Sequence, residues 1–80
     1  MTYMSQTPLR RTDLAAEIYA EIKKQRVTVQ ELATASKLSP STLYRRLGGV
    51  KPFRPDELDA IGLALGVPAS EITRRAKARA

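Results

Sequence analysis

The sequence contains no cysteine, no histidine and no tryptophan, and only three tyrosines and one phenylalanine. Each absence removes a class of chemistry. Without cysteine there is no disulfide framework and no thiolate metal site, which fits the reducing cytosol, so a cytoplasmic location is expected. Without histidine the commonest general base and the commonest metal ligand are both missing. There is also no glycine-rich phosphate loop and no evident carboxylate pair, so the expectation is a non-enzyme with no metal, no cofactor and no small-molecule ligand. No run approaches the roughly 18 apolar residues of a membrane span. The N-terminal stretch lacks the apolar block of a signal peptide, so no membrane association is expected. With aromatics so scarce, leucine, isoleucine, valine and alanine must build the core. A chain of 80 residues has room for one such core and one domain.

Positive charge is abundant, and it is unevenly spread. Fourteen basic residues against eight acidic ones give a net charge of +6. From Lys23 to Arg54 there are eight bases (Lys23, Lys24, Arg26, Lys37, Arg45, Arg46, Lys51, Arg54) and one acid, Glu31. From Pro55 to Thr73 there are four acids and no base, and then Arg74, Arg75, Lys77 and Arg79 follow. Such a chain can present a basic face to a polyanion and an acidic or neutral back.

Apolar periodicity predicts five short helices and no strand. Residues 1–7 read as a flexible lead, with the single domain over 8–80. Thr7-Pro8 or Thr12 is the candidate start of the first helix. In it Leu14, Ile18 and Ile22 recur every four residues with Ala15 and Tyr19 beside them, while Glu17, Glu21, Lys23 and Lys24 take the wet side as far as Gln25. Thr28 caps a second helix, Val29–Ser36, with Glu31 placed for a capping box. Ser39-Pro40 starts a third, which runs to Leu47 and is stopped by Gly48-Gly49. Pro55 opens a fourth, with Asp56 and Glu57 at its positive end and Leu58, Ile61 and Leu65 as its stripe, closed by Gly66. A fifth spans about Ala69–Lys77.

The stretch TVQELATASKLSPSTLYRRL, Thr28 to Leu47, has the form of a helix-turn-helix, in which one helix braces a second that enters the major groove. Ala33 must be small because the helices cross there, Leu38 plugs the gap after the turn, and Leu43 anchors the second helix from beneath. With Leu43 and Leu47 facing in, a step of about 100° per residue turns Ser41 and Arg45 outward, flanked by Thr42 and Tyr44. These four are the candidate base-reading residues, since an arginine fork fits a guanine edge and hydroxyls fit base edges or phosphates. Arg46, Lys51 and Arg54 suit phosphates, as do the amides at the capped starts near Thr28 and Ser39.

Plainer roles stand beside these. Arg45 and Arg46 also fit a solvated helix face, Tyr44 a peripheral core position, and Lys23, Lys24 and Arg26 a complement to the first helix's dipole. The basic tail fits a solvated helix end, a phosphate contact or a tether. Leu63, on the far side of its helix from Leu58, Ile61 and Leu65, fits a cover for the last helix and is also a candidate partner surface.

From Ile18 to Ile72 the chain resembles the Cro and phage-repressor type of helix-turn-helix domain, the XRE family. The resemblance rests on Glu31-Leu32-Ala33, Leu38-Ser39, Leu43 and the run DELDAIGLALGV from Asp56 to Val67. It implies an all-α, compact bundle of five short helices of the lambda-repressor-like type. It further implies a sequence-specific regulator of transcription, a Cro-like or immunity repressor bound to a double-stranded DNA operator, either as a homodimer, at least on DNA, or as weakly associating monomers that cooperate there. The chain departs from the family at Val29, where a glutamine often binds phosphate, and at Pro40, where a polar base-contacting residue is common. It departs again at Lys37, where glycine usually supplies a positive φ. The same fold serves as a protein-interaction module in antitoxins and transcription adaptors, which is the alternative function.

Overall fold

The computed structural model describes residues 11–79, with side chains from residue 13 onward. The expected flexible lead at 1–7 and the candidate start at Thr7-Pro8 lie outside the described residues. Five helices follow one another: α1 (Arg11–Gln25), α2 (Val29–Ser36), α3 (Pro40–Leu47), α4 (Pro55–Leu65) and α5 (Ala69–Arg79). No strand occurs among the described residues. α1 is already under way at Arg11, so Thr12 is not its cap. The bounds of α2, α3 and α4 are the expected ones, and α5 runs two residues past Lys77.

Local chemistry explains the starts. Thr28 Oγ1 accepts from the amide of Glu31, and Glu31 Oε1 accepts from the amide of Thr28, closing a capping box on α2. Ser39 Oγ accepts from the Thr42 amide at the head of α3, with Pro40 as the first helical residue. On α4, Glu57 Oε1 accepts from the amide of Arg54, just before Pro55.

The stops share one device. After each of the first four helices a residue takes positive φ, namely Arg26, Lys37, Gly49 and Gly66. The amide of the following residue then reaches back five positions: Val27 to Ile22, Leu38 to Ala33, Val50 to Arg45 and Val67 to Gly62. That is the Schellman pattern, which satisfies otherwise orphaned carbonyls and places an aliphatic residue against the helix it ends. Val27, Leu38 and Val67 pack on the core, whereas Val50 stays exposed. At Lys37 a lysine adopts the left-handed conformation that glycine usually supplies, with φ 61°.

The largest fully buried side chains are Ile18 of α1, Leu43 of α3 and Ile61 of α4. Around them sit Ile22, Leu32, Ala33, Leu47, Leu65 and Ile72, with Phe53 closing the connector between α3 and α4. α2 packs on α3 and α4, α1 on α3 and α5, and α4 on α5. Burial of this aliphatic surface holds α3 in place, because an isolated two-turn helix is marginal in water.

One expectation about α1 needs correction. Glu21, placed on its wet side, is buried, and Glu17 is largely covered. Both face α5, where Arg75 and Arg79 neutralise them. Tyr19, placed beside the apolar stripe, is 45% exposed.

Candidate nucleic-acid interface

α2 and α3 form the expected helix-turn-helix. Ala33 has no exposed surface where the two helices meet, and Leu38 donates its amide to the Ala33 carbonyl at 2.9 Å across the turn. Leu43 and Leu47 face inward at 0% and 4% exposure. Ser41, Tyr44 and Arg45 consequently stand exposed on the other side of α3, and Thr42 is half-buried at its flank. The hydroxyls at the head of α3 form a short chain: Ser39 Oγ lies 2.8 Å from Thr42 Oγ1, to which it donates, and 3.4 Å from Ser41 Oγ. Such a chain holds Thr42 in one rotamer while its own hydroxyl proton stays available.

Of the residues expected at phosphates, Lys51 and Arg54 are exposed on the connector after α3. Arg54 meets Asp56 at 3.3 Å, but both side chains are about 70% exposed (70% and 72%), so water screens the pair and an anion can replace the carboxylate. Thr28 and Ser39 mark the helix starts: the Glu31 carboxylate already takes the Thr28 amide, the Thr42 amide already donates to Ser39 Oγ, and Pro40, first in α3, has no amide hydrogen.

Arg46 departs from its expected place. Its guanidinium turns away from the exposed side of α3 and grips Glu57 of α4 with two parallel bonds, Nε to Oε1 at 2.8 Å and Nη2 to Oε2 at 3.0 Å. The two side chains are 14% and 8% exposed. Arg46 first, then the Arg54 amide, hold the Glu57 carboxyl below the usual carboxylate range against the opposing effect of burial, and Glu57 raises the Arg46 guanidinium above its ordinary value. The sequence alone sets Arg46 at a phosphate. What sequence reasoning missed was its partner, eleven residues on, in a helix whose orientation only the folded chain fixes.

No family profile matches the chain, and neither does any curated protein. Solved structures do. Two crystal structures of the clp gene regulator ClgR from Corynebacterium glutamicum superimpose on it with a TM-score of 0.81 at 30% sequence identity. One match covers 91% of this chain and 95% of that one, the other 90% and 77%. The chain belongs to the ClgR family of helix-turn-helix regulators.

The five-helix, all-α architecture expected from the sequence is thus the one shared with ClgR. In this ClgR-family chain the charge is divided by use. Between residues 23 and 54, Lys23, Lys24, Arg26, Lys37, Arg45 and Lys51 are exposed and make no ion pair among the described residues. The tail is spent internally: Arg74 and Arg75 hold Glu71, Arg75 also reaches Glu21, and Arg79 reaches Glu17. Leu63 is 87% exposed and lines a shallow groove with Asp59, Gly62, Gly66, Pro68 and Ala69. Among the described residues no cluster of potential metal ligands occurs and no helix is long and apolar enough to cross a membrane.

Proposed function

We propose that this chain is a sequence-specific regulator of transcription, a repressor of the Cro or immunity-repressor kind, that lays α3 in the major groove of a double-stranded DNA operator. The observation that carries this reading is the division of α3: Leu43 and Leu47 are sealed in the core while Ser41, Tyr44 and Arg45 stand exposed opposite them. An arginine fork in that position matches the O6 and N7 acceptors of guanine. Ser41 and Thr42 take base edges or nearby phosphates, and Tyr44 takes a thymine methyl or sugar.

Lys51, Arg54 and the starts of α2 and α3 at Thr28 and Ser39 hold the backbone. Arg46 is assigned to Glu57 and not to a phosphate. The kinship with a named gene regulator supports the same reading. Two copies on inverted half-sites would set their reading helices about 34 Å apart, and exposed Leu63 is the candidate surface for a protein partner. The protein acts in the cytoplasm, on the nucleoid when bound.

The test is binding to random-sequence duplex DNA over a range of salt, followed by selection from the same pool. A DNA-reading regulator binds the pool at low salt with a steep salt slope and enriches one motif. An adaptor or antitoxin that works through protein contacts alone shows little binding even at low salt.

A further inference from the structure

We infer that Glu57 is a positioning residue for the reading helix: through Arg46 it fixes how far α3 is turned about its own axis and locks it in register with the connector that carries Lys51 and Arg54. The inference rests on the DNA-reading role proposed for α3.

α3 is eight residues long, and its core anchors are two leucines. Hydrophobic burial is not directional. Leu43 and Leu47 therefore set the depth of α3 against the core far better than they set its rotation. Side-chain tips stand about 5 Å from a helix axis, so a rotation of about 20° carries a base-reading group about 2 Å. A binding constellation tolerates roughly 0.5 Å. Something else must fix the angle.

The chain that follows α3 does not. Its turn is closed by bonds to α3 itself, from the amides of Gly48, Gly49 and Val50 to the carbonyls of Tyr44, Arg46 and Arg45, and these bonds rotate with α3 instead of tying it to another helix. The Arg46–Glu57 pair bridges this gap. Two parallel bonds between a planar guanidinium and a planar carboxylate define a direction as well as a distance. Glu57 Oε1 also accepts from the Arg54 amide at 2.9 Å. One carboxylate thus joins the last turn of α3, the end of the connector and the first turn of α4. Arg45, one residue before Arg46, inherits its angle from this joint, and Lys51 lies within the loop that the joint closes. A buried ion pair is a weak stabiliser compared with apolar packing, and setting a register is its best-attested use.

The experiment uses Glu57→Gln, which keeps the shape but loses the charge, and Arg46→Lys, which keeps the charge but loses the fork. Glu21→Gln serves as control, removing a buried carboxylate on the α1–α5 side. Each is measured by enrichment from a random-sequence duplex pool and by amide hydrogen exchange. Wild type enriches a motif. Glu57→Gln binds the pool as well as wild type or better, since it removes a negative charge, but its enrichment of that motif falls about tenfold. Arg46→Lys loses enrichment in the same direction. In both, exchange quickens in α3 and the connector relative to α1 and α5. Glu21→Gln keeps the motif and quickens exchange in α1 and α5.

Undiminished enrichment in both Glu57→Gln and Arg46→Lys would overturn the inference, as would equal loss in Glu21→Gln. Should Glu57→Gln fail to fold, Arg46→Lys decides. Should wild type enrich nothing, the DNA-reading role is what fails, and exchange alone judges the joint: selective quickening of α3 upholds it and uniform quickening overturns it.

Discussion

Arg75 of α5 donates from Nη1 to Glu21 Oε2 of α1 at 3.1 Å, closing a contact across 54 residues of chain. The same arginine donates from Nε to Glu71, which also receives Arg74. Glu21 in turn accepts from Gln25, whose amide reaches the Leu65 carbonyl at the end of α4 at 2.7 Å. The network straps α5 to α1 and α4, and it spends the tail's arginines inside the protein.

That strap makes stability depend on acid pH. Gln25 first, then Lys24 and Arg75, hold Glu21 below its ordinary 4.5, against burial that pushes it up. Arg74, then Arg75, bring Glu71 down to about 2. A carboxylate lowered on folding stabilises the fold above its unfolded value, and the effect fades as pH falls through the folded value. Melting temperature should therefore be level above about pH 5 and decline from about 4.5 towards 2. The double variant Glu21→Gln/Glu71→Gln should show a shallower decline. An equally steep decline in that variant would count against the strap.

Lys37 takes φ 61° and Arg26 φ 58°, where a side chain crowds its own backbone. Lys37→Gly should stabilise the protein by about 1 kcal/mol in urea denaturation, since relief of that crowding exceeds the entropy glycine adds to the unfolded chain. Lys37→Val should destabilise it, because a β-branched side chain suits this conformation least. A loss of stability on changing Lys37 to glycine would contradict the stated origin of the turn.

Gly62 lies inside α4, where propensity alone would favour alanine. A Cβ there would sit 2.6 Å from the Val67 carbonyl oxygen and 2.9 Å from the Ala69 amide nitrogen, both backbone atoms of the turn into α5. Gly62→Ala should cost about 1–3 kcal/mol as overpacking, despite its gain in helix propensity. A thermal melt at or above the wild-type midpoint would show that the turn yields easily.

Much of this was legible in the chain. Thr28 with Glu31, Ser39-Pro40, Gly49 and Gly66 act within a few residues of themselves, so the bounds of α2, α3 and α4 follow from local rules. The outward turn of Ser41 and Arg45 follows from Leu43 and Leu47 by helical step alone. What was not legible depends on partners distant in sequence. Glu21 looks like a solvated acid until Arg75 arrives from α5, and Arg46 looks like a phosphate ligand until α4 brings Glu57 beside it. Gly62 gave no local reason for its presence, because the atoms that forbid a Cβ belong to the next turn.

The central claim is that the exposed side of α3 reads sequence while the connector holds the backbone, and the affinities of Arg45→Ala and Lys51→Ala measure it most directly. Each is titrated, over a range of salt, with the duplex that wild type enriches from a random pool and with the unselected pool. Arg45→Ala should lose about 1–3 kcal/mol on the enriched duplex and little on the pool. Lys51→Ala should weaken both alike and reduce the salt slope by about 1. Equal losses for Arg45→Ala on both DNAs, or none on either, would contradict the account.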